Sequence, residues 1–152
     1  MFVSSMTIYF YSTTDKYGYL TNFSRHGFHL DGKHWPTVEH YFQAQKYFGT
    51  GYEERVRRAT TPREAKRLGN DRSWPLRSNW GQVKDDVMKR AIVRKFEAHD
   101  KIRGLLLGTG DEELVEDAPK DYYWGRGADG TGKNMLGKIL MEVRSFLLMN
   151  SH

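Results

Sequence analysis

Apolar residues recur along this chain at two spacings, every second position in short runs and every third or fourth in longer ones, and the alternation between the two marks out its elements. Thr7-Ile8-Tyr9-Phe10-Tyr11 is β-branched and aromatic and reads as a strand, followed by a polar loop from Ser12 to Gly18. Phe28–Leu30 and Lys33–Trp35 flank Asp31-Gly32, the kind of dipeptide that closes a tight hairpin. Helical spacing begins after the stop at Pro36. Thr37 as N-cap places Glu39 in the first turn, where the helix dipole favours a carboxylate, and this helix is expected to end near Gly49-Thr50-Gly51. Thr61-Pro62-Arg63-Glu64 is a capping box with Pro at the first helical position, so a short helix should run to Leu68 and stop at Gly69-Asn70. The stretch from Asp71 to Trp80 is too rich in Trp, Pro and Ser to be regular. Val83 to His99 is the clearest amphipathic helix, with Val87, Met88, Ala91, Ile92 and Phe96 in helical period. Ile102 to Leu107 forms a shorter apolar helix closed by Gly108-Thr109-Gly110, and Leu114-Val115 a brief edge strand. A last helix, N-capped by Asn134, carries Leu136, Ile139, Leu140, Val143, Phe146 and Leu147. The pattern predicts an α+β fold, helices packed around a small sheet, as one domain over residues 1–152.

Within the helix after Pro36, two faces make different demands. At about 100° per residue, Val38, Tyr41, Phe42 and Gln45 fall on a core face, while Glu39, Gln43 and Lys46 fall on another. An acid, an amide and an amine in register form either a solvated ladder or one wall of a polar cleft. Composition adds a bias toward anionic partners. The net charge is +5, and eight basic residues lie between Arg55 and Arg77, enough to follow a nucleic-acid backbone or attract a phosphorylated small molecule unless Glu53, Glu54, Glu64 and Asp71 balance them. Trp74 and Trp80 in that basic stretch either anchor to the core or present rings to a ligand. The absence of cysteine removes disulfides and thiolate chemistry. No run approaches the roughly 20 apolar residues of a membrane span, and Met1–Met6 lacks the basic and apolar parts of an export signal, so a soluble cytoplasmic protein with no membrane partner is expected.

A second wall is sought in Asp121–Asn134. Asp121 is a second carboxylate, or a turn residue; Tyr122, Tyr123 and Trp124 can stack on a planar base; glycines at 125, 127, 130 and 132 let backbone approach a ligand. Gly127–Lys133 spells G-x-x-x-x-G-K, but Asn134 stands where a nucleoside-triphosphate loop carries Ser or Thr, and no apolar strand precedes it. A nucleotide triphosphatase is thereby disfavoured, while phosphate cradling by free N–H groups at the following helix start is retained as an expectation.

These motifs, in this order, resemble the YbiA-like family, also called the NADAR domain: Phe10-Tyr11-Ser12, Leu20-Thr21-Asn22-Phe23, Trp35 through Lys46, Arg77-Ser78-Asn79-Trp80, Tyr123-Trp124-Gly125 and Gly132-Lys133-Asn134-Met135-Leu136-Gly137. Thr21 stands where many relatives have Ser. The resemblance implies an N-glycosidase acting on N-ribosyl bonds, either of phosphoribosylamino-pyrimidine intermediates of riboflavin synthesis or of ADP-ribosylated guanine in DNA or RNA. It implies catalytic roles for Glu39, Lys46 and Asp121, with Lys46 acting through a Schiff base or Glu39 and Asp121 as an acid–base pair. Asn22, Phe23, Gln43, Arg72, Trp80, Tyr123, Trp124, Gly125, Lys133 and Asn134 are its substrate-binding candidates, the two tryptophans clamping the base. Positive charge builds at the anomeric carbon as a ribosyl C–N bond breaks, so a carboxylate beside it acts most strongly in the transition state. No residue cluster has metal-ligand spacing, and neither metal nor cofactor is expected. The alternative is a non-catalytic module binding ADP-ribose or nucleic acid.

Overall fold

The computed structural model describes residues 6–151; Met1–Ser5, most of the opening stretch read for an export signal, and His152 lie outside them. The chain divides into two compact units, a terminal one running up to Thr21 and from Asp100 onward, and a central one, Asn22–His99. Among the described residues neither holds a helix long and apolar enough to cross a membrane.

In the terminal unit, β1 (Thr7–Phe10) pairs in parallel with β4 (Glu113–Glu116), Ile8 opposite Leu114. Ile8 and Phe10 face inward and Tyr9 outward, as strand alternation requires. α5 (Asp100–Gly108) leads into β4, and α6 (Met135–Met149) packs against it. Gly137 makes that packing close, because a Cβ there would overlap the Leu114 carbonyl oxygen. Asn134, just before α6, adopts a left-handed conformation (φ 52°), and its side-chain amide does not cap the helix. Instead Oδ1 accepts from Glu116 N at 2.9 Å while Nδ2 donates to Leu114 O at 2.9 Å, so the amide completes the free edge of β4. The expected N-cap is thus a strand mimic.

In the central unit, β2 (Phe28–Leu30) and β3 (Lys33–Trp35) form the expected hairpin, with positive φ at Asp31 (55°) and Gly32 (76°). α1 (Val38–Gln45) follows, capped by Thr37 Oγ1, which accepts from His40 N at 3.1 Å. It is enclosed by α2 (Gly51–Arg57), α3 (Pro62–Gly69) and α4 (Trp80–Ala98). Two boundaries differ from expectation. α1 ends at Gln45, and a separate α2 begins at the cap Thr50, whose Oγ1 accepts from Tyr52 N; Thr50-Gly51-Tyr52-Glu53 carries that start signal. Trp80 is not in the irregular stretch but opens α4, where its ring packs on Phe42 with centroids 5.1 Å apart. The fold is α+β, and its strands form two separate two-stranded ladders among the described residues.

Candidate active site

Every residue of α1 is buried, which rules out the solvated-ladder reading of its polar face. Glu39, Gln43 and Lys46 are only 6 %, 4 % and 6 % exposed. Buried polar groups must find partners or shift toward neutrality, and both occur here. Gln43 Nε2 donates to Glu39 Oε2 at 3.3 Å, and the rest of its amide rests on Gly69, where a Cβ would overlap Oε1 and come within 2.7 Å of Gln43 Cβ. Lys46 Nζ donates to Asn70 Oδ1 at 3.2 Å and to Gly69 O at 3.4 Å. Its pKa is lowered to about 8, first by burial and then by the neighbouring Arg72 charge, against the opposing pull of Glu39. An amine and a carboxylate thus share one buried helix face, and the amine is far easier to deprotonate than a free lysine.

Around this row the other central-unit candidates take distinct places. Asn22 is joined to α1 through its backbone, its carbonyl accepting from Glu39 N at 3.1 Å. Its side-chain Nδ2 contacts Met88 Sδ at 3.5 Å, while its buried Oδ1 has no hydrogen-bond donor among the described residues. Phe23 is half-buried beside it. Arg72 Nη1 donates to Gly69 O at 2.9 Å and to Tyr47 Oη at 3.3 Å, so the guanidinium converges on the same carbonyl as the Lys46 amine. His40 has the composition of a catalytic residue but not its freedom. Its Nε2 reaches Ala59 O (2.9 Å) and its Nδ1 the Thr37 hydroxyl (2.8 Å), which assigns the proton to Nε2; burial foremost holds its pKa below the usual imidazole range. The basic stretch is partly balanced as expected, Glu54 pairing with Arg57 and Arg58 and Glu64 with Arg67. Tyr47 and Asn70 are contacts of this site that spacing did not reveal. The only trace of Asn70 was its place after Gly69 at a helix stop.

The terminal-unit candidates form their own set. Asp121 Oδ1 accepts from Tyr123 N (3.0 Å) and Trp124 N (2.8 Å), so the carboxylate shapes the turn that carries both rings. Those rings meet edge to face with centroids 4.8 Å apart, and Lys133 Nζ stands 5.5 Å from the Tyr123 centroid. Gly125 leaves room for Ala118, whose Cβ would lie 2.8 Å from an added one. The expectation of free N–H groups cradling phosphate is not met. The N–H groups of Lys133, Asn134, Met135 and Leu136 donate to the carbonyls of Tyr122, Gly125, Tyr123 and Trp124 at 2.9 to 3.1 Å. The glycines serve this pairing of two chain segments, and the Asn134 amide is spent on the edge of β4 instead of a phosphate. Among the described residues no group of three or more His, Asp or Glu side chains is placed to hold a metal ion.

The NADAR domain model matches residues 9–148. The chain is 52 % identical to the N-glycosidase YbiA of Escherichia coli (strain K12) over 140 residues, covering 92 % of this chain and 88 % of that protein. It is 39 % identical to a chloroplastic riboflavin biosynthesis protein of Zea mays, covering 93 % of this chain and 25 % of that protein. The NMR structure of E. coli YbiA superposes with a TM-score of 0.90 at 49 % identity, over 98 % of this chain and 89 % of that one. The chain belongs to the NADAR domain family.

Proposed function

We propose that the chain hydrolyses the C–N bond joining ribose to the exocyclic nitrogen of a phosphoribosylamino-pyrimidine, with Lys46 as nucleophile and Glu39 as the group that stabilises charge and moves the proton. The enzyme class is that of its relatives: at about half identity to named N-glycosidases over nine-tenths of its length, the chain is a glycosidase. The observation that carries the lysine route is a buried amine with its pKa lowered to about 8 on the same helix face as a carboxylate. The pyrimidine substrate is favoured by the riboflavin-biosynthesis names of two further relatives.

In this reading the neutral Lys46 Nζ donates its lone pair to C1′ of the ribose. The C1′–N bond breaks as a proton passes to the departing pyrimidine amine; the ring C1′–O4′ bond then opens, O4′ takes up a proton, and a Lys46 iminium of the open-chain ribose remains. Water adds to that iminium, returning the lysine and releasing ribose phosphate. Glu39 stabilises the cationic carbon in both halves, since an anion fixed in a water-poor site acts far more strongly there than in solvent. Asn22 Oδ1, a buried acceptor with no protein donor among the described residues, takes a hydroxyl or amino group of the substrate. Asp121 serves by fixing the Tyr123–Trp124 turn. A reactive soluble metabolite as substrate fits a cytoplasmic enzyme.

One observation favours ADP-ribosylated guanine in nucleic acid as a second substrate class. Beyond α3, Trp74 is 40 % exposed and stacked on Tyr52, and Arg77 stands 5.3 Å from the centroid of the exposed Phe48 ring, a basic and aromatic surface of the sort single strands use. The test is to incubate the protein with each substrate and follow released base by chromatography. Release of the aminopyrimidine, lost in Glu39→Gln while ligand binding persists, supports the proposal. Release of ADP-ribose from modified DNA alone would replace the substrate, and binding without any release would make the chain a binding module.

A further inference from the structure

Asn70 is the residue that no motif assigned and that the geometry places against the reacting amine. It follows α3 at φ −96° and ψ 0°, an ordinary right-handed conformation, so the backbone does not require the Asn or Gly that a left-handed helix end favours. Its own N–H is spent on the carbonyls of Lys66 and Arg67 at 3.1 and 3.3 Å. The side chain is therefore free of any capping duty, and the contact recorded for it is with Lys46 Nζ, at 3.2 Å. The Gly69 carbonyl, the other acceptor of the amine at 3.4 Å, also receives the Tyr47 hydroxyl at 2.8 Å and Arg72 Nη1 at 2.9 Å. A carbonyl oxygen has two lone pairs, so three donors leave Lys46 the weakest claim on it.

We propose that Asn70 is a positioning residue for Lys46, holding two N–H bonds together with Gly69 so that the third position on nitrogen, the one that becomes the lone pair, turns away from the end of α3. The proposal rests on the reading of Lys46 as nucleophile. An amide suits the task because it accepts from the amine in either protonation state without adding charge. A carboxylate at the same place would hold the lysine as ammonium, and an apolar side chain would leave its orientation to the crowded Gly69 carbonyl. The charged groups that face the amine are Glu39 on α1, Lys66 on α3 and Arg72 in the segment after it, with the Tyr47 phenol sharing Gly69 O. Asn70 is the neutral member of that ring.

The test uses the full chain with 13C-labelled lysine side chains, the Lys46 signal being the one lost in Lys46→Met. In wild type the Lys46 Cε signal should titrate near pH 8. Asn70→Asp, which keeps the shape and the acceptor but adds a charge, should raise that midpoint by about one unit and cut turnover at neutral pH about tenfold, with recovery at alkaline pH. Asn70→Ala should lower kcat at all pH values with KM little changed, because binding does not depend on where the amine points. Asn70 is exposed, so both variants should fold, and their amide spectra check this. An unmoved midpoint in Asn70→Asp, or wild-type kcat in Asn70→Ala, overturns the proposal. If Lys46→Met itself keeps full turnover, the nucleophile reading falls, while the Asn70→Asp titration still decides whether Asn70 holds the amine.

Discussion

Replacing Arg72 with Gln separates two roles open to this side chain, holding a substrate phosphate and flanking the Lys46 amine. Both Arg72 Nη1 and Lys46 Nζ reach Gly69 O, at 2.9 and 3.4 Å, so the two nitrogens lie within about 6 Å of each other. At an effective dielectric of about 20, unit charges that far apart repel by about 3 kcal/mol, an upper bound here because the guanidinium is exposed and its charge spread. A loss of about half that energy corresponds to about one pH unit on the amine. The amide introduced by Arg72→Gln can still donate to Gly69 O, so the packing should survive. With Lys46 at about 8, roughly one amine in eleven is neutral at pH 7, against roughly one in three thousand for a free lysine at 10.5. Raising the midpoint by one unit leaves about one in a hundred, so kcat/KM for base release should fall about tenfold at pH 7 and return to the wild-type value well above pH 9. The assay is the pH profile of base release in wild type and Arg72→Gln. A loss of equal size at every pH, expressed in KM, would mean that Arg72 holds substrate phosphate; no loss at any pH would mean that the amine is not the titrating nucleophile.

Three further outcomes follow from the packing. Gly69→Ala should destabilise by about 1–3 kcal/mol in urea melts, because the new methyl overlaps the Gln43 amide, which is held between α1 and α3; an unchanged midpoint would show that Gln43 can move aside. Asp121→Asn keeps an oxygen for the N–H groups of Tyr123 and Trp124, so turnover should stay within about threefold of wild type, whereas a role as acid or base would cost about a hundredfold or more. Lys95 is fully buried on α4, and burial lowers its pKa to about 7 from 10.5. A base depressed on folding contributes its full share to stability above the unfolded value and loses it as pH falls toward the folded one. Wild type should therefore gain stability relative to Lys95→Met as pH rises from about 7 to 10, in parallel melts; a constant difference would contradict the burial argument.

Local chemistry made much of this fold legible. Thr37, Thr61 with Pro62, and Asp31-Gly32 each fix a backbone conformation within a few residues, and each feature stands where spacing placed it. α2 is less legible, because its apolar residues, Tyr52 and Val56, are few and its charges fit a basic cluster as well as a helix surface. The polar row on α1 was legible as a row, but its burial was not, since whether a Glu or a Lys meets solvent depends on what α3 and the hairpin bring against it. The phosphate-cradle reading failed for a related reason. Glycine content reports freedom of backbone, and that freedom here lets one segment pair with another instead of meeting a ligand.

Asn70 shows most clearly what a linear reading misses. In sequence it is a polar residue after a glycine, and a helix stop explains it fully. In three dimensions α3 delivers its last carbonyls and that amide to the end of α1, where a buried amine needs acceptors that do not compel it to stay charged. A helix C-terminus favours cations, and alone it would keep Lys46 protonated. Burial foremost lowers the pKa of Lys46 to about 8, and Arg72, placed at the same carbonyl, adds to that shift against the pull of Glu39. The lowered basicity of Lys46 is then a property of the α1–α3 junction as a whole, and Gly69, which admits the Gln43 amide and offers the shared oxygen, is the position on which that junction turns.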